Sequence, residues 1–145
     1  MRSKQIADGP ERTYALVFDE GDEVMAELQA FARASGLTAA RFDGIGAFRD
    51  VTLGYFDWET KQYQRNRFDE QVEVVSLTGD VAVADAGPAV HAHVALGRAD
   101  ATALGGHLLE GHVRPTLELV LVESPAHLRK RYDETSGLAL IDPAL

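Results

Sequence analysis

One stretch, Ala89 to Val122 (AVHAHVALGRADATALGGHLLEGHVRPTLELVLV), restricts the folds open to this chain more than any other. Side chains alternate between two faces along a β-strand, so residues two apart share a face. Val90, Ala92, Val94 and Leu96 then make one apolar face, and His91 and His93 stand together on the other. Gly97-Arg98-Ala99-Asp100-Ala101-Thr102 reads as a turn, after which Leu104 resumes the apolar pattern. A hairpin symmetric about Asp100 sets Leu96 opposite Leu104, Val94 opposite Gly106, Ala92 opposite Leu108 and His93 opposite His107. Opposed residues of antiparallel strands share a face, with Cβ atoms about 4.5–5.5 Å apart. One register therefore sends the apolar residues inward and gathers three histidines outside. Gly105 and Gly106 leave room beside the third, so the backbone can bend there or a ligand can come close. His112 falls on the opposite face, unless a bulge at Gly111 reverses the alternation.

Three imidazoles converging from two strands suit a divalent transition metal, which takes neutral nitrogen ligands at about 2.0–2.1 Å and leaves a fourth position for water or substrate. The expected ligands are His91, His93 and His107, with zinc the first choice and another divalent transition metal the alternative. The competing reading is three polar strand residues facing solvent. The chain contains no cysteine, so any metal must be held by His, Asp or Glu, and neither a disulfide framework nor a thiolate zinc site is open to it.

These residues also carry a family resemblance. The run HAHVALGRADATALGGHLLEGHVRPTLELVL, with Asp43–Asp57 (DGIGAFRDVTLGYFD) and Val72–Ala82 (VEVVSLTGDVA), resembles the plant and prokaryote conserved (PPC) domain from about Arg12 to Glu123. That resemblance implies a compact α+β domain dominated by antiparallel sheet and assembling as a homotrimer. Prokaryotic members of the family often carry an HxH and a GGH, which His91, His93 and His107 match position by position. Members are often labelled DNA-binding, a label that derives from plant relatives in which a separate basic AT-hook contacts DNA.

Charge argues against transferring that label. The chain of 145 residues has 14 Lys and Arg against 23 Asp and Glu, a net charge of −9. Sequence-independent DNA binding neutralises phosphates with a basic surface. No Arg-Gly-Arg-Pro occurs, and the basic runs His127–Arg131 and Lys61/Arg65/Arg67 read as solvated surface. DNA binding by this chain alone is not expected; a small ligand or protein partner is. The N-terminus lacks the apolar core of a signal peptide and no stretch reaches 18 apolar residues, so the expectation is a cytoplasmic protein with no membrane partner.

At this length, with 46% hydrophobic residues, one domain with its own core is expected. Residues 1–11 are polar and read as a flexible lead, 12–132 as the domain and 133–145 as a loosely held tail. The first strand spans Thr13 to Phe18. Acidic residues from Asp19 to Asp22 then lead into a helix from Glu23 to Ala34, with Val24, Leu28, Phe31 and Ala32 on its buried stripe and Gly36 ending it. Gly44-Ile45-Gly46 marks a bulge or bend rather than a dinucleotide fingerprint, because Arg49 stands where the third glycine belongs. Short strands follow at about 8–12-residue intervals, and Ser124-Pro125 opens a short helix through Tyr132. The fold class is α+β: a mainly antiparallel sheet with one long helix packed on it and a short C-terminal helix.

No nucleophile motif is present. A cupin would place a glutamate four or five residues after His93, where Gly97 and Arg98 stand. Glu118, within the nearly apolar strand Thr116–Val122, has four readings: it orients a ligating imidazole, binds metal itself, pairs with an arginine of a neighbouring subunit, or lies at an exposed strand end. The residues favour a metal-bearing interaction or small-ligand-binding domain. The alternative is a metal-dependent enzyme acting on a small anionic or carbonyl substrate, with Glu118 or Asp100 as base.

Overall fold

The computed structural model describes residues 1–145 and runs β1 (Arg2–Ala7), β2 (Thr13–Phe18), α1 (Val24–Ala34), β3 (Ala39–Asp57), β4 (Gln62–Phe68), β5 (Val72–Ala84), β6 (Gly87–Gly97), β7 (Ala103–Glu123), β8 (Lys130–Asp133) and β9 (Leu138–Ile141). Strict alternation makes β2 a strand with Tyr14, Leu16 and Phe18 inside. In α1 the period changes to helical: Val24, Leu28 and Ala32 are buried, and the Glu23 carboxylate caps the first turn by accepting from the amides of Met25 and Ala26.

Two long strands, β3 and β7, pair with each other from Ala40↔Glu123 to Gly54↔His107 and form the spine of a seven-stranded antiparallel sheet. Its order is β1-β2-β7-β6-β5-β3-β4. Because β7 pairs with β3 as well as with β6, the strands β7, β6, β5 and β3 close into a ring. Inside lie Phe42, Phe48, Leu53, Leu77, Leu96 and Leu108, all buried, and α1 covers β6 and β7. Register slips let the long strands curl. Opposite Gly44–Gly46 the slip is one residue, with the extra residue on β5 at Val75/Ser76, so the expected irregularity at the glycines is present.

Both chain ends depart from expectation. Arg2–Ala7 is a paired edge strand against β2 rather than a free lead, although its side chains are exposed. The expected helix from Ser124 to Tyr132 does not form. The amides of Ser124 and Leu128 donate to the carbonyls of Ala39 and Thr38, and Leu128 accepts from Val83, which commits this backbone to neighbouring strands instead of a helical ladder. Lys130–Asp133 then pairs with Leu138–Ile141 as a hairpin, where a loose tail was expected. Its turn is set by Asp133, whose carboxylate accepts from the Ser136 amide, and by Gly137 at φ +74°.

Candidate metal centre

The predicted hairpin register is the observed one: His93 pairs with His107, Val94 with Gly106 and Leu96 with Leu104. Ala92, Val94, Leu96 and Leu108 are buried, leaving the histidines on the outer face. His91, His93 and His107 come together with one potential ligand nitrogen from each lying within 4.8 Å of the others. Their ring centroids are 5.0–5.3 Å apart.

His107 is the hinge of the cluster, because it is registered against both His93 of β6 and Gly54 of β3. The Tyr63 ring lies on the imidazole of His107 at a centroid distance of 4.6 Å. Gly54 makes this possible: a Cβ there would come within 2.8 Å of Tyr63 Cδ1. Gly105 serves the pairing itself, since a Cβ would meet the Val94 carbonyl oxygen at 2.6 Å. The close approach foreseen at the glycine pair is therefore that of strand to strand.

The electrostatics keep the cluster ready for a cation. Burial, reinforced by the neighbouring His91, His93 and Lys130, pushes His107 down to about 4, and burial together with His91 also lowers His93. Both are neutral at physiological pH, the form that ligates metal. His107 Nδ1 is buried without a hydrogen-bond partner, an unsatisfied polar atom of the kind that folded proteins avoid. Three converging imidazoles, one of them carrying a buried unpartnered nitrogen, fit a divalent metal ion.

Three further residues complete the surroundings, and sequence reasoning passed over them. Asp80 of β5 is registered directly against His91, and its Oδ2 lies 3.4 Å from His91 Nδ1. The two-residue turn at Asp85-Ala86 sets that register, so the reasoning applied to the following hairpin would have found Asp80. Lys130 of β8, with a side chain only 10% exposed, places Nζ 3.8 Å from Asp80 Oδ1. Tyr63, Asp80, His91, His107 and Lys130, with β9 as an apolar wall, enclose a cavity of about 310 Å³. His93 borders a second cavity of about 290 Å³ with Thr78 and Asp80.

The other candidates lie elsewhere. An extra residue at Leu109, two positions before the bulge considered at Gly111, returns His112 to the outer face. Its Nδ1 is nonetheless taken by Asp50 Oδ1 at 2.8 Å, outside the cluster. Asp100 is a turn residue whose carboxylate accepts from the amide and hydroxyl of Thr102. Glu118 is exposed in mid-strand and lines an outer surface with Ile45 and Val75. Neither carboxylate borders the histidine cavities. The basic runs are largely paired: Arg65 with Glu110, Arg67 with Asp69, Arg131 with Asp142. No helix is long and apolar enough to cross a membrane.

Against known proteins, the family model described as the Plants and Prokaryotes Conserved (PCC) domain matches residues 5–125. A PPC protein structure from Pyrococcus horikoshii is 35% identical with a TM-score of 0.85, over 90% of this chain and 91% of that one. A Bacteroides thetaiotaomicron structure, named for a supposed DNA-binding role, is 28% identical with a TM-score of 0.88 over 99% of both chains. The metal-containing protein AF0104 from Archaeoglobus fulgidus is 30% identical with a TM-score of 0.83, over 97% of this chain and 98% of that one. Among curated proteins, the bifunctional protein GlmU of Synechococcus sp. (strain JA-3-3Ab) is 30% identical over 125 residues, 85% of this chain. The chain spans about a fifth, 19%, of that relative's length.

Proposed function

The chain belongs to the Plants and Prokaryotes Conserved (PCC) domain family, and from that premise we propose that it is a metal-bearing, small-ligand-binding domain that works as a homotrimer. His91, His93 and His107 hold one divalent ion, zinc by preference. The observation that carries this reading is the convergence of three imidazoles, with one potential ligand nitrogen from each within 4.8 Å of the others and His107 Nδ1 buried without a partner. The metal-containing relative of the same fold supports it. The cluster contains no carboxylate ligand, which favours zinc over harder cations such as magnesium or calcium. Asp80, whose Oδ2 lies 3.4 Å from His91 Nδ1, is placed to steady that ring and would leave Nε2 for the ion.

A bound ion of this kind would polarise an oxygen or acidify a water. The adjoining cavity therefore also supports a second reading, a metal-dependent enzyme on a small anionic or carbonyl substrate. A DNA reader has less support. The net charge is −9 and much of the basic runs, Arg65, Arg67 and Arg131, is engaged with carboxylates, so the surface offers little of the footprint that phosphate binding needs.

Elemental analysis of tag-free protein tests the centre. We expect about one equivalent of zinc per chain, largely lost in the His91→Ala/His93→Ala/His107→Ala variant. Equal metal content in the two proteins would refute the assignment.

A further inference from the structure

Resting on the metal reading above for one of its two contacts, we propose that the cavity beside the histidine cluster binds a short-chain carboxylate bearing a second oxygen. Lys130 holds the carboxylate, and the second oxygen is taken at the cluster. Lys130 is nine-tenths buried and donates no hydrogen bond within the chain, its one ionic neighbour being Asp80 Oδ1 at 3.8 Å, beyond hydrogen-bonding distance. Asp80 Oδ1 is itself buried and unpartnered. The Lys130 side chain is thus largely sheltered along its length, while the N–H groups at its tip are left free to donate to a ligand in the cavity. The space in front of it is the cavity of about 310 Å³ that also borders His91 and His107, at the small end of the range for ligand sites.

The chemistry of the walls selects the ligand. Lys130 offers donors and charge for an anion, the cluster offers a place for an oxygen, and β9 contributes an apolar wall from Leu138 to Ile141. A molecule that satisfies all three has a carboxylate, a neighbouring oxo or hydroxyl group and a short aliphatic chain. Inorganic phosphate would satisfy Lys130 but leave the apolar wall uncovered. With Lys130 and Asp80 offsetting each other, a dication on the histidines would make the cavity net positive, which favours an anion.

The test uses the full chain, zinc-loaded and metal-free, with 2-oxobutyrate, butyrate, methyl 2-oxobutyrate and inorganic phosphate as probes. Calorimetry gives affinities, and carbon-13 NMR of the lysine Cε positions reports the anchor. The chain has only three lysines, Lys4, Lys61 and Lys130. In both forms 2-oxobutyrate should shift Lys130 Cε and leave the other two in place. The zinc form should bind it about tenfold or more tightly than the ester or phosphate, and Lys130→Met should lose about the same factor at unchanged zinc content. The preference over butyrate should exist only with zinc bound. An unmoved Lys130 resonance in wild type, equal affinity for phosphate, or undiminished binding by folded Lys130→Met would overturn the proposal. A Lys130 shift in a chain that takes up no zinc would instead keep the anchor and reject the metal centre.

Discussion

His107 concentrates the residue-scale logic. Its position opposite His93 follows from strand alternation, but its state follows from its surroundings: Tyr63 lies over the ring, and burial, reinforced by the neighbouring His91, His93 and Lys130, holds it down to about 4. His93 is lowered as well, first by burial. An unfolded chain takes up protons at these positions near the ordinary value of 6.5, whereas the folded chain resists them until lower pH. Stability of the metal-free protein is therefore full above 6.5 and is lost as the pH falls from there toward 4. Thermal melts across that window should show a falling Tm, with a smaller fall in His107→Gln. A pH-independent Tm, or the same slope in the variant, would contradict the burial of these imidazoles as uncharged groups. Asp50 does not confuse this window. Burial raises it, but hydrogen bonds from Arg49 and His112 outweigh that and keep it below 3.8.

Among the elements, the β6–β7 hairpin is the one on which the site depends. It holds three histidines because its apolar face cannot slip by one residue without exposing Ala92, Val94 and Leu96. Close strand approach at Gly105 tightens it. Gly105→Ala would drive a Cβ into the backbone oxygen of Val94, 2.6 Å away, where no flexible side chain can yield. We expect a loss of about 1–3 kcal/mol in denaturant unfolding, as for overpacked interiors, together with weaker zinc binding as β7 moves away from His93. Gly9→Ala, with nothing within 4 Å, should leave both unchanged. The β8–β9 hairpin matters differently: it brings Lys130 and an apolar wall to a centre built more than twenty residues earlier in the chain.

At the scale of the whole molecule, one sheet face is left open in the single chain. Ile45 is 65% exposed, Val75 62% and Val120 43%, with Glu118 among them. Contiguous apolar exposure rimmed by carboxylates is characteristic of an association surface. In the proposed trimer this face would meet another copy, where Glu118 would have a neighbouring subunit to pair with. Light scattering at micromolar concentration should give three times the chain mass of 15.7 kDa. Ile45→Asp with Val75→Asp should reduce the mass to that of one chain without unfolding it, because both side chains point away from the core. A wild-type mass equal to one chain would reject the assembly.

What the sequence determined by itself was whatever depended on local periodicity. Alternation about Asp100 placed His93 against His107, helical spacing of Val24, Leu28 and Ala32 placed α1, and the absence of cysteine confined the ligand set to His, Asp and Glu. The register of β5 against β6, and so Asp80 beside His91, was also within reach, because a two-residue turn fixes it. The tertiary structure alone decided the rest. Tyr63 reaches His107 only because β3 pairs with both β4 and β7, and sequence distance carries no trace of that closure. Ser124-Pro125 has the local signature of a helix start, yet the Ser124 amide bonds to Ala39 and the Leu128 amide to Thr38, residues far away in sequence. Local preference of about a kilocalorie per residue yields to such non-local pairing. Lys130 accordingly moved from an expected surface helix to the wall of the histidine cavity.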